Sequence, residues 1–162
     1  MKTVIVVGYV CIGKTEAANQ FNRLNSKALD VNVDLYKNSE TYPKNMIDDV
    51  VSVIGKYDVI FLPYSKDIIK ALDDNGLVYV LAAPDNFLKA EIVGRMVLNG
   101  YNQEKYLDII ESWDRDLNDI ERMKLITNEA KGLCASIKLR PDKNNLCESL
   151  SFILSCMGNY KK

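Results

Sequence analysis

The sequence predicts an α/β sandwich of three layers, a mostly parallel sheet of about five strands with helices packed on both faces. Three observations carry that prediction. The β-branched run Thr3–Val7 ends at a glycine and leads directly into a helix-compatible stretch, the pattern of a strand buried on both faces at the centre of a parallel sheet. Strand-like and helix-like segments then alternate along the chain, as parallel pairing demands, because each crossover needs a helix to carry it back. At 162 residues, 48% of them apolar, one domain over 1–162 with a single core is the expectation.

After the opening strand and its helix, Lys27–Val33 reads as the second strand. Met46, Ile47, Val50, Val51 and Ile54 then fall on one helical face, and Gly55 marks that helix's end. Asp58–Leu62 is the third strand, Ser65–Asp74 a short helix closed by Asn75-Gly76, and Leu77–Ala82 the fourth strand. Beyond Pro84 the pattern changes. Phe87–Leu98 reads as a helix stopped by Asn99-Gly100. Gln103 to about Lys131 reads as a longer one, with Tyr106, Ile110, Trp113, Leu117 and Ile120 forming an apolar stripe. This helical segment, about 86–131, is expected to pack on the sheet or to form a lid. Leu133–Leu139 is a last strand, and Leu146–Met157 a closing helix that turns Leu146, Leu150, Ile153, Leu154 and Met157 inward.

Composition excludes several functions. A formal net charge of -1 and a pI of about 5.5 provide no broad positive field, which disfavours nucleic acid and anionic membranes as partners. With no histidine, the chain has no histidine base, no Ser-His-Asp or Cys-His arrangement and no imidazole metal ligand. No apolar run approaches the roughly 20 residues of a membrane helix, and the opening run is too short for a secretory signal. Cys11, Cys134, Cys147 and Cys156 lie far apart without CxxC spacing, which speaks against a zinc site or disulfide framework. Reduced, buried thiols and a cytoplasmic location are the expectation.

The chemistry is concentrated after the first strand. Gly8-Tyr9-Val10-Cys11-Ile12-Gly13-Lys14-Thr15 fits G-x-x-x-x-G-K-[ST] without a mismatch, and Glu16-Ala17-Ala18 continues it as a helix. Glycines let such a backbone curl until successive N–H groups point at phosphate oxygens, and the helix N-terminus adds partial positive charge. Lys14 would reach the β- and γ-phosphates, and Thr15 would place its hydroxyl on a magnesium ion bridging them.

With this motif the sequence resembles small P-loop kinases of the nucleoside monophosphate kinase type, and more closely the compact nucleotide-kinase-like P-loop proteins of bacteriophages. The likeness lies in the motif over the first 15 residues and in the order of elements over most of the rest. It implies a P-loop sandwich with a helical lid, ATP and Mg2+ as cofactors, and a location in the cytoplasm, that of the host for a phage protein. The acceptor it implies is small, such as a nucleoside or deoxynucleoside monophosphate. Relatives read G-x-x-G-x-G-K-[ST], and Cys11 stands where their middle glycine would be. They place an acid at the end of the second strand facing the acceptor; Asp30 or Asp34 would serve here, with Asn32 where several relatives carry a second acid. The third strand ends in Leu62-Pro63-Tyr64-Ser65 without a Walker B acid, a role Ser65 would take through a water.

In these relatives the chain leaves the sheet for the lid at a point matched by Pro84-Asp85, and lid arginines neutralise the transferring phosphoryl group. Arg95 is the first candidate, against an ordinary i,i+4 pair with Glu91; Arg115 and Arg122 follow on the next helix. Arg140, before Pro141-Asp142, occupies the position of the loop that packs on adenine. Tyr36, Lys37, Tyr42 and Lys44, beyond the second strand, are candidates for acceptor contacts. A second reading keeps the same loop as an ATP or GTP binder that regulates a partner without transfer. A homodimer is left open.

Overall fold

Five parallel strands stand in the order β2-β3-β1-β4-β5 in the computed structural model, which describes residues 3–125 and 130–159, without the side chains of 156–159. The centre is β1 (Val4–Gly8), flanked by β3 (Val59–Pro63) and β4 (Tyr79–Pro84). Every residue of β1 and β4 is buried, which is why these strands read as continuous apolar runs. β1 pairs with β3 from Val4 opposite Val59 to Gly8 opposite Pro63, and with β4 from Ile5 opposite Tyr79 to Gly8 opposite Ala82. The edges are β2 (Ala28–Asp30) and β5 (Leu133–Leu139). In β5 burial alternates: Ile137 and Leu139 face the core, whereas Cys134, Ser136 and Lys138 are exposed.

The strand order fixes the layers. From β1 the chain crosses β3 to reach β2, and every later connection runs the opposite way. Right-handed crossovers therefore place α1 (Lys14–Arg23) on one face and α2 (Lys44–Val53), α3 (Lys66–Asp74) and α5 (Gln103–Leu125) on the other. The closing helix α6 (Leu150–Asn159) returns to the α1 face, where it meets β1. Because β1 exits to the opposite face from both its neighbours, a crevice opens at its carboxyl end. The short helix α4 (Lys89–Leu98) packs on α5 and stands over that end.

The apolar faces meet the sheet through Ala17 and Phe21 of α1, Met46, Ile47 and Val50 of α2, and Ile68, Ile69 and Leu72 of α3. Trp113 and Ile120 of α5 are buried as well, and the Trp113 indole N–H donates to Asn86 Oδ1 at 2.7 Å. The segment expected to pack or to act as a lid is thus divided. α5 is a fixed layer of the core, and only α4 and the start of α5 overhang the crevice.

Several boundaries differ from expectation for local physical reasons. The second strand ends at Asp30 instead of Val33, because Asn32 Oδ1 accepts the Asp34 N–H at 3.0 Å and turns Val33–Leu35 into a single 3-10 turn. Asp85 likewise caps a 3-10 turn at Asn86–Leu88 that points Phe87 outward, 87% exposed, and Leu88 inward. Val51 and Ile54 lie beyond the buried arc of α2 and are exposed. In the long helix Tyr106, Ile110 and Leu117 are only half-buried; Ala130 and Lys131 are not helical, and 126–129 lie outside the described residues. A 3-10 turn, Leu146–Ser149, precedes α6; Leu154 is exposed, and the Met157 side chain lies outside the described residues. Cys134 is exposed, Cys11 and Cys147 are half-buried, and all three are free thiols; the Cys156 side chain is not among those described. Among the described residues no helix is long and apolar enough to cross a membrane.

Candidate functional site

Directly beyond β1, the loop Gly8–Thr15 lies in the crevice, pinned by two side chains that face away from it. Ile12 is fully buried. Tyr9 is buried beneath α5, edge-on to Trp113 with ring centroids 5.6 Å apart, and its hydroxyl donates to Asp116 Oδ2 at 3.3 Å. The backbone curls through left-handed conformations on either side of Ile12, at Cys11 (φ 52°) and Gly13 (φ 93°). Gly13 has a second constraint, since a Cβ there would lie 2.5 Å from Asn145 Oδ1. No protein acceptor among the described residues takes the amide N–H of Gly13, Lys14, Thr15 or Glu16, and Gly13 offers no side-chain cap to α1. A helix N-terminus with four open donors is an anion-binding geometry.

Lys14 folds back over this loop and donates from Nζ to the carbonyls of Tyr9 at 2.7 Å and Gly8 at 3.1 Å. Burial of its ammonium pulls it from 10.5 to about 8, although the Asp30 carboxylate works the other way. The unfolded chain keeps this proton up to 10.5 and the folded protein releases it near 8, so between those values the unfolded state binds more protons and stability rises with pH. Urea unfolding of the wild type and Lys14→Met across that window is expected to show the gain in the wild type alone. Parallel pH dependences would rule it out.

The Thr15 hydroxyl donates to Asp30 Oδ2 at 2.5 Å, so the carboxyl end of β2 and the start of α1 meet and bring these two sequence candidates together. No side chain among the described residues donates to the other Asp30 oxygen. Among the described residues no three Asp, Glu, Cys or His side chains converge as a cation cage. The Thr15 hydroxyl is a single oxygen donor of the kind Mg2+ accepts when phosphates and water complete its shell, and Asp30 lies beside it.

Two clefts flank Lys14 and Thr15. One, about 620 Å3, lies between the loop and α4 and includes Glu16, Arg95, Asn99 and Asn145. The other, about 550 Å3, runs from Val10 and Thr15 past Asp30 and Asp34 to Tyr42, Tyr64, Tyr101 and Lys105. Cys11 and Tyr101 border both.

The remaining candidates are placed unevenly. Asp34 lines the second cleft but is exposed and paired with Lys37, whose hydrogen bond holds the Asp34 carboxyl below its ordinary range. Arg95 makes the i,i+4 pair with Glu91 that is its alternative reading and also tethers the loop, donating to Cys11 O at 3.2 Å, Asn144 O at 2.9 Å and Asn144 Oδ1 at 3.0 Å. Arg140 borders neither cleft; it is exposed in a tight turn where it exchanges backbone hydrogen bonds with Lys143. Arg115 is exposed beside Asp116, and Arg122 lines a separate cleft between α3 and α5. Of the four acceptor-side candidates only Tyr42 lines the second cleft. The Tyr36 hydroxyl donates to Asp49, Lys37 pairs with Asp34, and Lys44 with Asp48.

Ser65 also borders that cleft, and its Oγ caps α3 by accepting the Ile68 N–H at 3.1 Å. Ser65→Ala is expected to cost about 1 kcal/mol, read as a lower urea midpoint with an unchanged slope.

Sequence reasoning passed over Asn144 and Asn145. Beyond Asn144's two contacts with Arg95, Asn145 donates to Glu16 Oε2 at 3.2 Å, and the next amide, Leu146 N–H, donates to Ile12 O at 2.8 Å. The signal available was an Asn pair directly after a Pro-Asp turn, a frequent capping sequence; Asn145 Oδ1 does cap the following turn through the Cys147 N–H at 2.9 Å.

No protein-family model matches this sequence, and no curated protein matches it either. Among solved structures it is similar to an uncharacterized protein from Eubacterium ventriosum, with a TM-score of 0.50 and 14% identity over 98% of this chain and 99% of that one. At that identity the likeness is one of fold.

Proposed function

We propose that the protein is an ATP-dependent phosphotransferase of the nucleoside and nucleotide kinase type. The observation that carries this reading is the arrangement at the end of β1: four open amides at the start of α1, the Lys14 ammonium beside them, and Thr15 hydrogen-bonded to Asp30 at the junction of two clefts. The amides and Lys14 would hold the β- and γ-phosphates, with the rest of the nucleotide in the cleft beside α4. Thr15 would hold the Mg2+ together with phosphate oxygens and water, and the ion supplies charge neutralisation at the phosphates. The second cleft is then the acceptor's, with Asp30 at its inner end.

A second reading, a nucleotide binder without transfer, is favoured by Arg95, whose guanidinium is held by acceptors from two loops and from Glu91. One experiment separates the two. A thermal melt with ATP and Mg2+ is expected to show stabilisation, about 2.7 kcal/mol at a hundredfold excess over Kd, and a coupled assay to show ADP formation that depends on an acceptor. Stabilisation with no ADP formation from any acceptor favours the binder; neither effect overturns both readings.

A further inference from the structure

We infer that the acceptor is an uncharged alcohol of the nucleoside class and not a phosphate monoester. The inference rests on the phosphotransferase reading and concerns the second cleft alone. A phosphorylated acceptor brings a second dianion close to the triphosphate, and a site that takes one needs cations of its own for it, most effectively the fork of a guanidinium.

The second cleft has none to give. No arginine is among its described lining residues. Its cations are Lys14, already at the donor loop, and Lys105, whose ammonium sits 4.6 Å above the centre of the Tyr101 ring. Lys37, just outside, is taken by Asp34. Against these stand the carboxylates of Asp30 and Asp34, so an incoming phosphate monoester meets repulsion at the inner end, where Asp30 keeps an oxygen without a protein donor.

What the cleft does present suits a neutral, ring-bearing compound. Tyr42, Tyr64 and Tyr101 offer aromatic surface for a base to stack on, and about 550 Å3 accommodates a nucleoside. Its hydroxyl would meet the free oxygen of Asp30. In the transfer step the hydroxyl oxygen bonds to the γ-phosphorus, and the bond from that phosphorus to the β,γ-bridging oxygen breaks with its electron pair leaving on ADP. The hydroxyl proton passes to Asp30.

The test compares ribo- and deoxynucleosides with their 5'-monophosphates as acceptors for the protein with ATP and Mg2+, reading ADP formation and product mass. The expected result is nucleoside phosphorylation with kcat/KM at least about a hundredfold above that of the matching monophosphate, a ratio set by like-charge repulsion. Preferential use of monophosphates overturns this inference and leaves the phosphotransferase reading standing. Absence of acceptor-dependent ADP formation with both sets overturns both.

Discussion

Lys14→Ala is expected to reduce ATP-dependent turnover at least about a thousandfold while the fold stays intact, because charge developing on the transferring phosphoryl group would lose its nearest fixed cation. The expected loss is large for a reason visible in the loop itself. Lys14 is half-buried, partial desolvation draws its ammonium down to about 8, and a partly desolvated ammonium interacts with phosphate more strongly than one in bulk water. The fold tolerates the change because Lys14 pins nothing. Ile12 and Tyr9 anchor the loop, and Lys14 makes only two hydrogen bonds to carbonyls that water can also serve. ADP release together with a thermal melt checks both halves, and wild-type turnover in this variant would sink the assignment of the loop.

For Asp30→Asn the expected loss is about 10² to 10⁴-fold in kcat, with ATP affinity changed much less. The amide is nearly isosteric, and its Oδ1 can still accept the Thr15 hydroxyl, so the junction of β2 and α1 keeps its geometry. What disappears is a carboxylate able to take a proton. The Asp34→Asn variant is the internal control. Asp34 is exposed and engaged in a surface ion pair, an interaction of about 0–1 kcal/mol, and its loss is expected to leave kcat far closer to wild type. Equal losses in the two variants would show that the position of Asp30 beside Thr15 has no special role.

Much of the fold was legible because its signals are local. The runs that became β1, β3 and β4 are apolar over their whole length since both faces are covered, and the Gly8–Thr15 loop is specified by eight consecutive residues. Misreadings arose where a polar side chain competed for the backbone. Asn32 ends β2 early, and Asp85 turns Phe87 out, although neither changes the hydrophobic pattern around it. The site was legible where its residues are close in sequence or lie at strand ends, as with Lys14, Thr15 and Asp30. It was illegible where partners are remote: Arg95 meets Cys11 across 84 positions and Asn144 across 49, and Asn145 meets Glu16 across 129. No periodicity encodes such pairings; they follow from the strand order, which returns the chain after β5 to the carboxyl end of β1.

That return has a consequence for how the protein is made. The Gly8–Thr15 loop is synthesised before the segments that brace it: the backbone bond that secures Ile12 comes from Leu146, and the tether on Cys11 runs through Arg95 to Asn144. A nascent chain that already holds β1, α1 and β2 has the loop's sequence without its braces. The loop's final geometry therefore waits for the segment around Asn144–Leu146, and a chain cut short before it carries the loop without that support.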